Sequence, residues 1–326
     1  MGGRGWQVTE AGTFEHGTSV LQLRDDPDDV ARYRAVRATL HAARELRPRP
    51  ARDDKVVAAW NGYAVAALAE AGVLLDRPEW VEAAGTAAAL VLRVHGDAEG
   101  RRLVRTSRDG VAGTSPAVLE DYAGTAEGLL ALYSATGEAT WLAAAGRLLD
   151  TVRTRFAGTA GSFHDTADDA TDPALARLGR PADPADGPTP SGHAAAAGAL
   201  LTWSALTGDA DARTVAEAAL GRLGRVAARY PQAAGWALAT AEAAFDGPRQ
   251  VAVVGDRSDP RTRALAKAAR GSSAPGLVLA VGREGPPELL EGRPERDGVP
   301  TAYACRGFVC DLPTTDPAVL ADQLRG

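Results

Sequence analysis

Three polar clusters in a chain of 326 residues carry the side chains best suited to moving protons or gripping a polar ligand: Arg52-Asp-Asp-Lys55 with Trp60-Asn61, Glu120-Asp121-Tyr122, and Pro190-Ser-Gly-His193. Carboxylates that share a cavity can divide general-acid and general-base or nucleophile duties when their environments separate their pKa values. Asp53, Asp54, Glu120 and Asp121 are therefore the acid/base candidates, with His164 in Gly161-Ser-Phe-His-Asp-Thr166 and His193 assisting. Sugar chemistry suits such a site, because aromatic faces stack on a pyranose ring while paired carboxyls serve the reacting oxygen. Trp60 and Tyr122 are the candidate platforms, and Lys55, Asn61 and Ser191 complete the expected substrate contacts. Lys55 stands out because, among 36 basic residues, Lys267 is the only other lysine.

The same residues also fit a plainer role. Asp and Ser just before a helix cap its orphan N–H groups for about 1 kcal/mol each, and for Ser191 and one of the Asp53/Asp54 pair capping alone is the better account. Among the other histidines, His16, His41 and His95 read as surface or packing residues, and no spacing matches a zinc motif, so neither a metal nor a cofactor is expected. Cys305 and Cys310 have neither redox-helix nor zinc-ribbon spacing. Two free buried thiols are expected, with a redox role as the alternative.

These clusters need elements to hold them. Apolar positions recur every three or four residues from Asp26 to Phe245, predicting helices over 27–46, 57–75, 78–95, 117–136, 138–156, 190–206, 209–229 and 233–245. They pair as a weakly charged inner helix followed by a more charged outer one. Gly72-Val-Leu-Leu-Asp-Arg-Pro-Glu-Trp80, Leu132-Tyr-Ser-Ala-Thr-Gly-Glu-Ala-Thr-Trp141 and Trp203-Ser-Ala-Leu-Thr-Gly-Asp209 recur at the same place in each hairpin, with the tryptophans read as packing wedges. Hairpins repeating every 60 to 70 residues or so stack side by side. Parallel inner helices would then bring all three clusters to one rim.

After Gly247, Gln250-Val-Ala-Val-Val-Gly255 and Gly276-Leu-Val-Leu-Ala-Val-Gly282 read as strands around a helix over 260–270, followed by a strand at Thr301-Ala-Tyr-Ala-Cys305 and a last helix near 316–325. The expected organisation is a helical domain over 1–247 and a small α/β segment over 248–326. A hydrophobic content of 45%, a charged content of 24% and a net charge of -6 exclude disorder and give a nucleic-acid surface no support. Met1-Gly-Gly-Arg-Gly-Trp6 has no apolar signal stretch, and the uncharged run Pro188 to Gly208 is too interrupted to span a bilayer. A cytoplasmic location is expected, with no nucleic-acid or membrane partner.

In its motifs the chain resembles the C-terminal part of the YyaL / spermatogenesis-associated protein 20 family, also described as thioredoxin-domain-containing proteins. The matching segments are Val8-Thr-Glu-Ala-Gly-Thr-Phe-Glu15, Arg49-Pro-Ala-Arg-Asp-Asp-Lys-Val-Val-Ala-Ala-Trp-Asn-Gly62, Leu119-Glu-Asp-Tyr-Ala123, Phe163-His-Asp-Thr166, Pro190-Ser-Gly192 and Thr301-Ala-Tyr-Ala-Cys-Arg-Gly-Phe-Val-Cys310. The resemblance implies a mainly α fold: a partial (α/α)6 six-hairpin toroid, similar to that of N-acylglucosamine 2-epimerases and several glycosidases, with a small C-terminal α/β appendage. Nothing in the sequence corresponds to the family's N-terminal thioredoxin-like domain, and His193 stands where the family commonly has Asn. Two functions follow as expectations. One is a carbohydrate-active domain of epimerase/isomerase or glycosidase type, binding a sugar-like ligand. The other is a non-catalytic scaffold that self-associates as a homodimer or docks a separate thioredoxin-like partner, since an unclosed ring exposes apolar helix faces.

Overall fold

The computed structural model describes Trp6, residues 8–283 and residues 285–325. Met1–Gly5, on which the absence of a signal stretch was read, lie outside the described residues. The chain divides into two compact units, Met1–Asp54 and Lys55–Gly326. In the first, α1 (Val30–Glu45) is capped by Asp29, whose carboxylate accepts the Arg32 N–H, and it buries no residue. The Trp6 ring stacks on Tyr33 with centroids 5.5 Å apart.

The second unit holds the hairpins. A short strand β1 (Val56–Val57) leads into α2 (Ala58–Leu74) and α3 (Pro78–His95); β2 (Thr106–Arg108) and β3 (Val111–Ala112) complete a small antiparallel sheet with β1. Then come α4 (Leu119–Thr136) with α5 (Ala139–Arg155), the short α6 (Pro173–Leu178), α7 (Gly192–Thr207) with α8 (Ala210–Arg229), and α9 (Gly235–Phe245). The helices follow the predicted segments closely. Each outer helix, α3, α5 and α8, packs on its own inner partner, α2, α4 and α7, and the inner helices pack on one another in chain order. This is the winding of a partial (α/α)6 arrangement. The inner member is buried on most sides, which is why its sequence is small and almost uncharged; in α4 even Asp121 and Thr125 are buried. Trp141 and Trp203 pack against the shared core as wedges.

Glycines set the spacing of α2 and α4. A Cβ at Gly62 would lie 2.2 Å from the Gly124 carbonyl oxygen, and one at Gly128 would lie 2.4 Å from the oxygen of Gly62, so the two backbones touch without intervening side chains. Gly62→Ala must push the helices apart. It should cost about 3 kcal/mol, at the upper end of ordinary overpacking, seen as a lower urea midpoint with an unchanged slope. Gly85→Ala in α3, where a Cβ meets nothing within 4 Å, should instead stabilise by roughly 0.5–1 kcal/mol through helix propensity.

The sheet segment comprises β4 (Arg249–Val254), α10 (Pro260–Arg270), β5 (Val278–Gly282), β6 (Thr301–Arg306), β7 (Val309–Cys310) and α11 (Pro317–Gln323). Its order is β5-β4-β6-β7, with β4 parallel to β5 and antiparallel to β6. Alternation along the strands sends Ala252, Val254, Val278, Ala280 and Tyr303 into the hairpin core. Val251, Val253, Leu279, Val281, Ala302 and Ala304 face α10 and α11. Both faces are covered, so β4 is buried throughout.

One expectation about this segment is overturned. Cys305 and Cys310 are not free thiols; they form a disulfide. The spacing C-x4-C is that of two residues facing each other across a hairpin with a two-residue turn. Gly307 and Phe308 both have positive φ, as that turn requires, and Cys305 pairs with Cys310 in the β6–β7 register.

Candidate active site: the inner-helix rim and the inner-face cavity

The first turns of α2, α4 and α7 meet, so the inner helices run parallel. The Ala59 N–H in α2 donates to Asp121 Oδ1 in α4 at 3.2 Å, and a Cβ at Gly192 in α7 would stand 2.9 Å from the Glu120 nitrogen. Asp121 is the fastener. Its side chain is fully buried; Oδ2 accepts the Val118 N–H at 3.0 Å and Arg105 Nη1–H at 2.9 Å. Burial pushes its carboxyl above the ordinary aspartate range, against the pull of those N–H donors and Arg105. Glu120 is left partly open: Oε1 accepts from the Thr189 hydroxyl at 3.0 Å and Oε2 lies 3.5 Å from Arg105.

The remaining rim candidates are held in different ways. Ser191 caps α7, accepting the Ala194 N–H at 3.1 Å. Asn61 donates to the Val57 carbonyl at 2.9 Å, and Trp60 is 52% exposed on the first turn of α2. Tyr122, expected to offer its face to a ring, turns into the core instead: its oxygen accepts the Leu103 N–H at 3.1 Å and its ring lies against Phe156. Asp53 and Asp54 are exposed at the end of the first unit, and Lys55 is exposed at the start of the second. The N-cap position of α2 is Val57, because β1 intervenes, and the donor at Ala59 is satisfied by Asp121 from the neighbouring helix.

The imidazoles serve the loop between α5 and α7. His193 Nε2 lies 2.7 Å from the Phe163 carbonyl, an acceptor only, so Nε2 carries the proton; Nδ1 is buried without a hydrogen bond, 3.7 Å from Asp165 Oδ1. His164 Nδ1 lies 3.3 Å from the Arg180 carbonyl. His193 borders a cavity of about 410 Å³ together with residues of α8 and of the loop before α7, and none of the other sequence candidates lines it. His95 is a packing residue, hydrogen-bonded to Val104 and Ser107.

A second group of polar side chains gathers on the faces of α2, α4, α7 and α9 that no outer helix covers. A cavity of about 460 Å³ opens there, bounded on its far side by residues of α10 and β5. Glu70 and Glu127 stand in its wall, with Trp236, Thr202 and Thr240 opposite and Arg270 at the sheet end. Glu127 Oε2 is buried without a hydrogen-bond partner, and burial together with the nearby Glu70 carboxylate pushes its pKa up to about 8. Burial also raises Glu70, which is more open to solvent. The Tyr63 hydroxyl is likewise buried without a partner, and desolvation and the surrounding carboxylates hold its pKa far above the usual tyrosine value. Arg270 donates to the Ser134 carbonyl at 3.2 Å and Arg257 to that of Ala135 at 2.6 Å, where cations complement the C-terminal end of α4. Burial and the neighbouring Arg257 bring the Arg270 pKa down to about 10.

Glu70 and Glu127 were not among the sequence candidates, yet a signal existed. Glu70 is the one charged residue of α2, and Glu127 the one charged residue of α4 beyond its first turn. Glu127 follows Glu120 by seven residues, as Glu70 follows Tyr63. Two helical turns return to nearly the same face, about 10 Å further along. Arg105, from β2's approach, carried no such signal. Among the described residues no group of His, Cys, Asp and Glu is arranged to hold a metal ion, and no helix is long and apolar enough to cross a membrane.

Fold and site together define a helical-hairpin protein of partial (α/α)6 type with an α/β segment and a carboxylate-bearing inner face. In sequence the chain is similar to spermatogenesis-associated protein 20. It is 30% identical over 357 residues to the Homo sapiens protein, covering 97% of this chain and 44% of that one. It is 32% identical over 338 residues to the Rattus norvegicus protein, covering 95% and 42%. The chain thus spans less than half the length of the curated relatives it matches. No protein-family model matches it. Among solved structures, a sugar epimerase from a ruminal bacterium aligns with a TM-score of 0.44 and 16% identity over 53% of this chain and 45% of that one. Cellobiose 2-epimerase from Bacillus thermoamylovorans B4167 aligns with a TM-score of 0.43 and 12% identity over the same shares.

Proposed function

We propose that the chain is a carbohydrate-active-type domain that binds a sugar-sized polyol in the inner-face cavity and transfers protons to and from it through Glu127 and Glu70. One observation carries this: a buried, unpartnered carboxyl oxygen of Glu127 in the wall of a cavity of about 460 Å³, within electrostatic reach of a second carboxyl. A carboxyl with a pKa near 8 keeps its proton at neutral pH and donates it as a general acid, while the more solvated Glu70 supplies the base. Trp236, 37% exposed, offers a ring face, and the Thr202 and Thr240 hydroxyls offer hydrogen bonds to a polyol. Glu120 extends the same helix face to the rim. Epimerase or isomerase chemistry and glycoside hydrolysis both use such a pair, and the substrate decides between them.

Calorimetric titration with monosaccharides, amino sugars and sugar phosphates provides the test. At least one should bind with a dissociation constant of about 1 mM or tighter. Trp236→Ala should weaken it at least tenfold or so, the loss of one stacking contact, while Glu127→Gln should retain binding and abolish conversion. Absence of binding across the panel, or indifference to Trp236→Ala, overturns the assignment.

A further inference from the structure

The disulfide lies apart from this cavity, and its surroundings are not those of a passive staple. Cys305 and Cys310 face each other across the β6–β7 hairpin, with Cα atoms 3.9 Å apart. The hairpin turn and strand pairing hold them there whether or not the sulfurs are bonded, so the bond closes a loop the fold has already closed. Arg293 is directed at both sulfurs: Nη2 lies 3.5 Å from Cys310 Sγ and 4.0 Å from Cys305 Sγ. Its other terminal nitrogen is anchored on the Glu291 and Glu288 carbonyls at 3.1 and 3.5 Å, and among the described residues it forms no salt bridge. A disulfide gains little from a cation; a thiolate gains a great deal. Access is one-sided. Cys305 is buried, whereas Cys310 lies on the edge strand β7, partly open and flanked by Val309 at 78% exposure.

From this arrangement we infer that Cys305–Cys310 is a redox-active pair that exchanges with an external dithiol through Cys310, with Arg293 stabilising the thiolates. In the forward direction a thiolate of the dithiol attacks Cys310 Sγ, a mixed disulfide forms, the Cys305–Cys310 bond breaks, and Cys305 leaves as a thiolate beside Arg293. The second thiol of the dithiol, once deprotonated, then attacks its own sulfur in the mixed disulfide and releases the Cys310 thiolate. The external dithiol is oxidised to a disulfide, the protein pair gains two electrons, and the protons lost by the dithiol are available to the protein thiolates.

The full chain is treated with dithiothreitol under native conditions, its fold is followed by circular dichroism, and alkylation of the two thiols by iodoacetamide is followed by mass spectrometry from pH 5 to pH 9. The pair should reduce without unfolding and reclose on addition of oxidised glutathione. Cys310 should alkylate with an apparent pKa below the ordinary thiol value of about 8.5, and Arg293→Gln should lower its rate at pH 6 about tenfold. Arg293→Lys, which keeps the charge, should retain most of the rate and guards against a folding defect in the glutamine variant. A disulfide that resists reduction until the protein unfolds overturns the inference, as does an ordinary wild-type alkylation profile unchanged by Arg293→Gln.

Discussion

Glu127→Gln is expected to remove most of the pH dependence of stability between about pH 5 and pH 8, leaving the variant more stable than the wild type by about 3 kcal/mol at pH 9. The folded protein holds the Glu127 carboxyl at a pKa of about 8 against an ordinary 4.5. Between these values the folded state keeps a proton that the unfolded state has released, so stability falls as pH rises. The contribution is intact below the ordinary value and lost once pH passes the folded one. The full shift corresponds to about 5 kcal/mol, and partial contact of the side chain with solvent reduces it to about 3. Glutamine carries no such proton, so its profile lacks this slope. Glu70→Gln should act in the same direction with a smaller amplitude, because that carboxyl is more exposed. Urea unfolding at pH 5, 7 and 9 measures all three proteins. Parallel profiles for wild type and Glu127→Gln would show that the Glu127 carboxyl ionises normally, and the general-acid role would go with it.

The feature that makes Glu127 costly at high pH is the feature that suits it to catalysis. An acid that must remain protonated at neutral pH needs a wall with few donors, and the small residues of the inner helices provide one. The same smallness lets α2 and α4 touch through Gly62, Gly124 and Gly128. Close approach of parallel helices brings their first-turn N–H groups together, and carboxylates must answer them. Asp121 does so between α2 and α4. Asp186 does so between α7 and α9, accepting the Ser191 N–H on one oxygen and the Trp236 N–H on the other, both at 2.8 Å.

Much of this was legible along the chain and some was not, for physical reasons. Helix periodicity is local, so the hairpins and their inner and outer members could be read from apolar spacing alone. The rim was legible for the same reason, since polar residues at the starts of uncharged helices are conspicuous. Their roles were not. Whether Asp121 faces a ligand or an orphan N–H depends on Ala59 and Arg105, 62 and 16 residues away. Tyr122 looked like a platform because aromatic residues beside carboxylates stack on sugars; its burial against Phe156 is a tertiary fact. The disulfide was hidden by treating C-x4-C as a linear motif, when Gly307 at its centre marked the turn that makes the two cysteines face each other. Glu70 and Glu127 were passed over because the inner helices were judged by their low overall charge, although a lone acid in such a helix is the more informative residue.

Asp121→Ala should destabilise the protein by about 4 kcal/mol, because a buried carboxylate that answers several donors leaves them all unpaired when it is removed. The Ala59 and Val118 N–H groups carry most of that cost, since Arg105 is 34% exposed and can turn to water. Arg105→Met should therefore cost less, though it strands the carboxylate. Asp121→Asn keeps one acceptor and should fall between wild type and Asp121→Ala. In the pair Asp121→Leu with Arg105→Met, the double variant should be more stable than the sum of the single effects predicts, because neither charge is left without its partner. Equilibrium urea unfolding of the four proteins gives the coupling directly. The same variants separate structure from chemistry: below its unfolding transition Asp121→Asn should bind any ligand of the inner-face cavity as the wild type does. Loss of conversion in a folded Asp121→Asn protein would place Asp121 among the reacting groups and move the site from the cavity to the rim.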